Sequence, residues 1–236
     1  MDFDYPSALC RRLARGDLDV ALVSSLEFLR NPIYRIVDDI SISSDGPVYS
    51  VVVAYRGEIS QIEEIELDPA SETSVALLRF LLNERGANPR LGSTSCQPVV
   101  AGSLPATHKA RLLIGDQAIR FRQEHAAEFR FWDLGEQWKN LVDLPFVYAL
   151  WLVRPEVADP KQIASRLRAL RDENLVNLDG LIAAENEFDH EFCARYYREN
   201  LRFNFSEKDK KGLQTFAKLC AKHGLLPERD LVFDLA

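Results

Sequence analysis

Three times in 236 residues the chain repeats one arrangement: a short apolar run, a polar turn, then a helical period. Residues 17–23 run into Ser24 and Ser25 and a short helix over 26–30, which Asn31 and Pro32 break. Residues 65–67 lead through a loop at 68–72 into a strong helix over 73–84. Residues 110–114 meet Gly115 and Asp116 before a helix that begins near Gln117. Strands that feed helices directly bury their faces best with the helices laid on a sheet, so the repeat points to an α/β fold. The first run is apolar at nearly every position, which favours a parallel sheet covered on both faces.

Two further runs connect these pieces. Residues 43–54, SSDGPVYSVVVA, pass from a polar turn into a buried strand over 48–54 that only Ser50 interrupts. A hydroxyl in such a run either bonds neighbouring backbone or faces a ligand. Residues 146–153, FVYALWLV, form the most hydrophobic stretch of the chain. These two runs are read as crossings between two lobes. Lobe one then comprises residues 1–49 and 147–236, lobe two comprises residues 50–146, and Ser50 faces the space between them.

A helix over 6–15, with Pro6 in its first turn, Leu9 and Leu13 on one face and Gly16 past its end, opens the chain. Residues 88–107 read as a long surface loop holding one short strand. In the last third, helices are expected over 160–171, 178–187, 190–200 and 207–223. Residues 201–205 alternate as a half-buried strand does, and Ser206 with Asp209 forms a capping box. This third reads as scaffold.

A net charge of −7 argues against nucleic acid or an anionic membrane as partner. The scattered cysteines Cys10, Cys96, Cys193 and Cys220 lack metal-site spacing and read as buried free thiols. The first residues carry no secretory pattern, and no apolar run approaches the ~20 residues of a membrane span. A soluble, cytoplasmic protein is expected. Phosphate-loop, dinucleotide-binding, GxSxG and HExxH patterns are absent. His108, His125, His190 and His223 lie among polar residues and are expected to be solvated. What remains is a set of hydroxyls, glycines and helix starts: Ser24, Ser25, Gly46, Ser50, Ser71, Thr73, Ser74, Gly115 and Asp116. Hydroxyls and free N–H groups at helix N-termini suit a small anion. Ser24 and Ser25 read equally well as plain caps, Asp116 as a cap for its helix, and Glu72 works against an anion at the turn it occupies.

Taken together, GDLDVALVSSLEFLRN from Gly16, SSDGPVYSVVV from Ser43, LDPASETSVALLRFLL from Leu67, LLIGDQA from Leu112, and DLGEQW with LPFVYALWLVRP from Asp133 onward resemble the chorismate dehydratase family of futalosine-pathway menaquinone biosynthesis. The resemblance covers nearly the whole chain, with the motifs in the family's order. It implies the periplasmic-binding-protein-like type II fold: two α/β lobes, two crossing strands and a ligand cleft. It also implies conversion of chorismate to 3-[(1-carboxyvinyl)oxy]benzoate with loss of water, without cofactor or metal, and with a carboxylate of the substrate itself as the base. On the family pattern Ser50 matches the substrate-binding serine, and Ser71, Thr73 and Ser74 match the second-lobe helix start.

This chain departs from the pattern in three places. The family has a further strand and a Tyr-Leu-Asn-like loop ahead of the point where this chain begins, so an upstream start or a lost contact is expected. Glu72 stands where the family commonly has Arg, and Val142-Asp143 stands where it has Thr-Gly. The sister enzyme 1,4-dihydroxy-6-naphthoate synthase and a small-anion solute-binding protein share the fold and are the alternatives. The sister enzyme normally uses a histidine near the cleft, and no histidine here lies in a matching motif.

Overall fold

The computed structural model describes residues 4–68, 72–93 and 108–236. The chain divides into two compact units, Met1–Asp45 with Leu144–Ala236, and Gly46–Asp143. It leaves the first unit at 45/46 and returns at 143/144, a few residues before the boundaries expected at 49/50 and 146/147.

The first unit is built on an antiparallel sheet ordered β1 (Val20–Ser24), β8 (Phe146–Val153), β2 (Arg35–Ser44). Val23 pairs with Leu150 and Ser44 with Phe146. The parallel sheet expected for 17–23 is therefore not formed. Along β1, Ala21 and Val23 are buried while Val20 and Leu22 are only half-buried, and α1 (Pro6–Arg15) and α2 (Ser25–Arg30) pack against the strand.

Strand β2 was invisible to the hydropathy pattern for two reasons. Asp38 and Asp39 interrupt it at a bulge between Ile36 and Ser41, where Asp39 takes φ 60°. Its inward positions past the bulge also include Ser41, Ser43 and Ser44, polar residues that are buried all the same. Each finds a partner, as a buried hydroxyl must. Ser41 Oγ donates to the Asn204 carbonyl at 2.7 Å, and Ser43 Oγ donates to Asp209 Oδ1 at 3.0 Å. Residues 201–205, expected as a strand, contribute only the single bridge between Ser43 and Arg202. Their alternation serves this edge contact and the burial of Phe205.

Helices cover this sheet. α6 (Pro160–Val176) runs five residues further than expected and is capped by Asp159, whose carboxylate accepts from Gln162 N at 3.0 Å. α7 (Leu178–Ala183) and α8 (His190–Arg195) follow, the latter continuing as a π-helical turn to Asn200. α9 (Glu207–Lys222) starts at the expected capping box, with Asp209 Oδ2 accepting from Ser206 N at 2.9 Å. The side chain of Asp209 is wholly buried, and Arg202 Nη2 approaches its Oδ2 at 3.3 Å. Cys10, Cys193 and Cys220 are buried free thiols; Cys96 lies outside the described residues.

The second unit has a mixed sheet ordered β5 (Arg90–Ser93), β4 (Glu64–Leu67), β6 (Lys109–Ile114), β3 (Val51–Tyr55), β7 (Arg130–Asp133). β4 runs parallel to β5 and β6, while β3 runs antiparallel to β6 and β7. Three helices return on the sheet: α3 (Glu72–Glu84), α4 (Gly115–Glu124) and α5 (Leu134–Val142). α3 buries more than the expected face of Leu78, Leu81 and Leu82, because Ala76, Leu77 and Phe80 are buried too, whereas Val75 is only half-buried. His125 is not solvated as expected. It packs among aromatic rings, 4.5 Å from Phe121 and 6.0 Å from Phe129 between centroids.

Gly212, in the middle of α9, approaches Pro145 so closely that a Cβ would sit 2.1 Å from the Pro145 carbonyl oxygen. A glycine-to-alanine change inside a helix ordinarily stabilises by about 1 kcal/mol. Here overpacking against backbone, about 1–3 kcal/mol, outweighs that gain. Gly212→Ala is therefore expected to lower the midpoint of denaturant unfolding, with the slope unchanged; a raised midpoint would refute this contact.

Candidate functional site

All parallel strands of the second unit that feed a helix do so at one edge of the sheet. β4 ends at Leu67 ahead of α3, β6 ends at Ile114 directly before α4, and β7 ends at Asp133 directly before α5. β3 begins at the same edge, since Val51 pairs with Ile114 and Val52 with Asp133. The segment 46–50 is thus delivered onto the edge where three helices start. In open α/β sheets this edge, outside the carboxyl ends of the strands, is where ligands bind. Helix starts also concentrate unpaired N–H groups and positive dipole ends there.

One carboxylate organises this edge. Asp133, 4 % exposed, caps α5 by accepting from Glu136 N at 3.1 Å. The same Oδ1 accepts from Val48 N at 3.1 Å, and Oδ2 accepts from Tyr49 N at 2.8 Å. Arg122 of α4 brings Nη1 to 3.7 Å from Oδ2 and lays its guanidinium 4.1 Å over the Tyr49 ring. Tyr49 has φ 66°, a left-handed conformation that a bulky residue rarely adopts. Ser50 N donates to Val48 O at 2.8 Å, closing a tight three-residue turn around it. Gly46, with φ 142°, opens the turn in a conformation suited to glycine.

Ser50 is accordingly corrected in place. It does not lie within a strand over 48–54; β3 starts one residue later, and Val48, Tyr49 and Ser50 form the turn ahead of it. A run of β-favouring residues concealed the turn because its geometry is imposed by Asp133, far along the chain. The Ser50 hydroxyl is buried and reaches the Val48 carbonyl at 3.5 Å, the outer limit of a hydrogen bond. Its own carbonyl accepts from Gly115 N at 2.8 Å, which joins the turn to the start of α4.

Thr73 and Ser74 lie in the first turn of α3 and are buried at 0 % and 1 % exposure. Ser71 lies outside the described residues. Asp116 does not cap α4: Ile114 is the N-cap residue, no side chain caps there, and Asp116 is exposed within the first turn. Glu72 occupies the corresponding place in α3.

In the first unit the candidate residues gather at the edge where β1 and β2 end and β8 begins. Ser24 and Ser25 are buried, but Ser24 makes no side-chain cap to α2. Ser25 donates its hydroxyl to the Val147 carbonyl at 2.7 Å, so it holds β8 rather than capping. Two residues that sequence reasoning passed over stand beside them. Ser44 Oγ and Tyr148 Oη, both buried, lie 3.4 Å apart. Burial pushes the Cys10 and Cys193 thiols up and that of Cys220 up to about 12, which makes them inert packing groups instead of nucleophiles. Among the described residues no group of three His, Cys, Asp or Glu is placed to hold a metal ion.

Comparison with known proteins agrees with this architecture. A chorismate dehydratase of Thermus thermophilus is 33% identical over 232 residues, covering 90% of this chain and 83% of its own. A protein of known structure from Archaeoglobus fulgidus superposes with a TM-score of 0.72 at 19% identity, over 95% of this chain and 86% of its own. The alkanesulfonate-binding protein SsuA from Xanthomonas axonopodis pv. citri, bound to MOPS, does so with a TM-score of 0.66 at 16% identity, over 98% and 84%. These structures show the periplasmic-binding-protein-like fold that the motifs implied. The family described as menaquinone biosynthesis matches residues 3–222, and on that match and the Thermus relative the chain belongs to this family.

Proposed function

We propose that this chain is a chorismate dehydratase, which converts chorismate to 3-[(1-carboxyvinyl)oxy]benzoate and water in the futalosine route to menaquinone, in the cytoplasm. The observation that carries this reading is the 33% identity to a chorismate dehydratase across 90% of the chain. The alternatives, the naphthoate synthase and the solute-binding protein, have no comparable support.

The reaction removes one ring proton and a neighbouring hydroxyl, and the ring becomes aromatic. As the proton leaves, negative charge spreads from the ring toward its carboxylate. Donors placed on that carboxylate therefore bind the transition state more tightly than the substrate. A substrate carboxylate serves as the base in this reading, so the protein's task is to orient and to stabilise.

Ser50 is the donor assigned to this work. Ser50 is buried in the turn ahead of β3, and a carboxylate oxygen placed beside its hydroxyl would receive a charge-assisted bond. The helix starts of α3 and α4, with Thr73 and Ser74 in the first turn of α3, supply the surrounding positive field. Asp116 and Glu72 reduce that field. Ser24 lies in the first unit, at the end of β1. The donor capacity of Ser25 is already used on Val147.

Purified protein incubated with chorismate is expected to yield a product lighter by one water, with loss of the cyclohexadiene absorbance. Binding of chorismate without turnover would replace the enzyme by a small-anion binder, and neither binding nor turnover would defeat both. Ser50→Ala is expected to lower kcat/KM by about 1–3 kcal/mol of transition-state stabilisation, roughly 5- to 150-fold, with cooperative unfolding retained. Unchanged kinetics in the folded variant would remove Ser50 from the site.

A further inference from the structure

The turn that presents Ser50 is a conformation the local sequence does not favour. Val48, Tyr49 and Ser50 are β-favouring or neutral, and the left-handed region at Tyr49 is disfavoured for a ring-bearing side chain. Such a conformation persists only where the surroundings over-determine it. Here three groups do so. Asp133 takes up the N–H groups of both Val48 and Tyr49, at 3.1 and 2.8 Å. Arg122 lies 4.1 Å over the Tyr49 ring and 3.7 Å from Asp133 Oδ2, and its Nη1 reaches the Tyr49 carbonyl at 3.4 Å. Gly115 N holds the Ser50 carbonyl at 2.8 Å.

We propose that Asp133 is a positioning residue for the dehydration, acting through the Tyr49 turn to hold the Ser50 hydroxyl, with Arg122 as the clamp that holds both. This rests on the dehydratase reading and on Ser50 as its donor. Asp133 is buried and its two oxygens already accept the Val48, Tyr49 and Glu136 N–H groups, so it stands behind the site and carries no role of its own in the chemistry.

The arrangement also dictates which substitution is informative. In Asp133→Asn, Oδ1 can remain the acceptor for Glu136 N and Val48 N, which keeps α5 capped. The amide nitrogen then faces Tyr49 N, donor against donor, and the charge opposite Arg122 is gone. The change thus attacks the turn at Tyr49 more than the helix. Tyr49→Gly is not a clean counterpart: it relieves the left-handed penalty but removes the ring over which Arg122 lies.

Steady-state kinetics and residue-resolved amide hydrogen exchange test this on the full chain. Asp133→Asn is expected to lower kcat at least tenfold with little change in KM, and adding Ser50→Ala to it should cost little more than Ser50→Ala alone. Exchange should quicken selectively at the Tyr49 and Gly115 amides while the amides of β3 and β6 stay protected. Unchanged kcat, full additivity with Ser50→Ala, or exchange raised throughout the second unit would overturn the proposal, the last by making Asp133 a stability residue only. A wild-type chain without turnover of chorismate would defeat the dehydratase reading, and with it the assignment to the dehydration. The exchange pattern would then report separately whether Asp133 holds the turn.

Discussion

The buried carboxylate of Asp133 is the contact on which the helix-start edge of the second unit's sheet depends. It accepts from one N–H in its own helix and from two in a segment more than eighty residues earlier. A side chain that caps a helix and fixes a distant turn at once makes those two elements a single mechanical object. Any force that shifts α5 shifts the Ser50 turn with it, and Arg122 extends the coupling to α4 through the Tyr49 ring. Desolvating the carboxylate costs several kcal/mol, which its N–H donors and nearby guanidinium offset. Removing a donor therefore costs more than the bond alone is worth.

Asp209 does the same work in the first unit. It too is a buried acidic residue at a helix start, here in the first turn of α9, and it too takes a bond from a segment far away, Ser43 of β2. In each unit the stretch beside the inter-unit passage is thus secured to a helix start by a buried aspartate. β2 ends one residue after Ser43, and the Tyr49 turn begins just beyond the passage. Both passages are made by irregular chain, 45–50 and 143–145, whose backbone lacks the ladder partners a strand would have. Side-chain acceptors supply part of what a ladder would otherwise satisfy.

What could be read in the sequence divides along the same line. The strand–turn–helix units, α1 with its Pro6 start, α3, β6, β8 and the Ser206 capping box depend on local patterns, and they stand where those patterns put them. β2 and β7 escaped notice: serines fill inward positions of the first, and the second is four residues long with a charge at each end. A fourth strand–turn–helix unit was nevertheless present in RFWD followed by LGEQW, and that repetition was the signal that could have singled out Asp133. Of the candidate site, the hydroxyls could be named from the sequence only as residue types. Their use could not be read there, because Ser25 is taken by Val147, a partner 122 residues away, and the Ser50 turn by Asp133. Partners at that separation leave no periodic trace.

The departures from the family pattern become intelligible on the same physical terms. Asp143, where glycine is usual, ends α5 at φ 57°, the left-handed conformation in which glycine carries no steric penalty. Aspartate tolerates that region better than most residues, and its carboxylate meets Lys139 at 2.8 Å one turn back, so the helix end is kept with a different residue. Glu72, where arginine is common, is another matter. A negative charge in the first turn of α3 favours the helix through its dipole, yet it opposes the anion that the same turn is assigned to attract. The first substitution preserves a backbone requirement and leaves the helix-start edge untouched. The second places a negative charge in the first turn of α3, where it favours the helix.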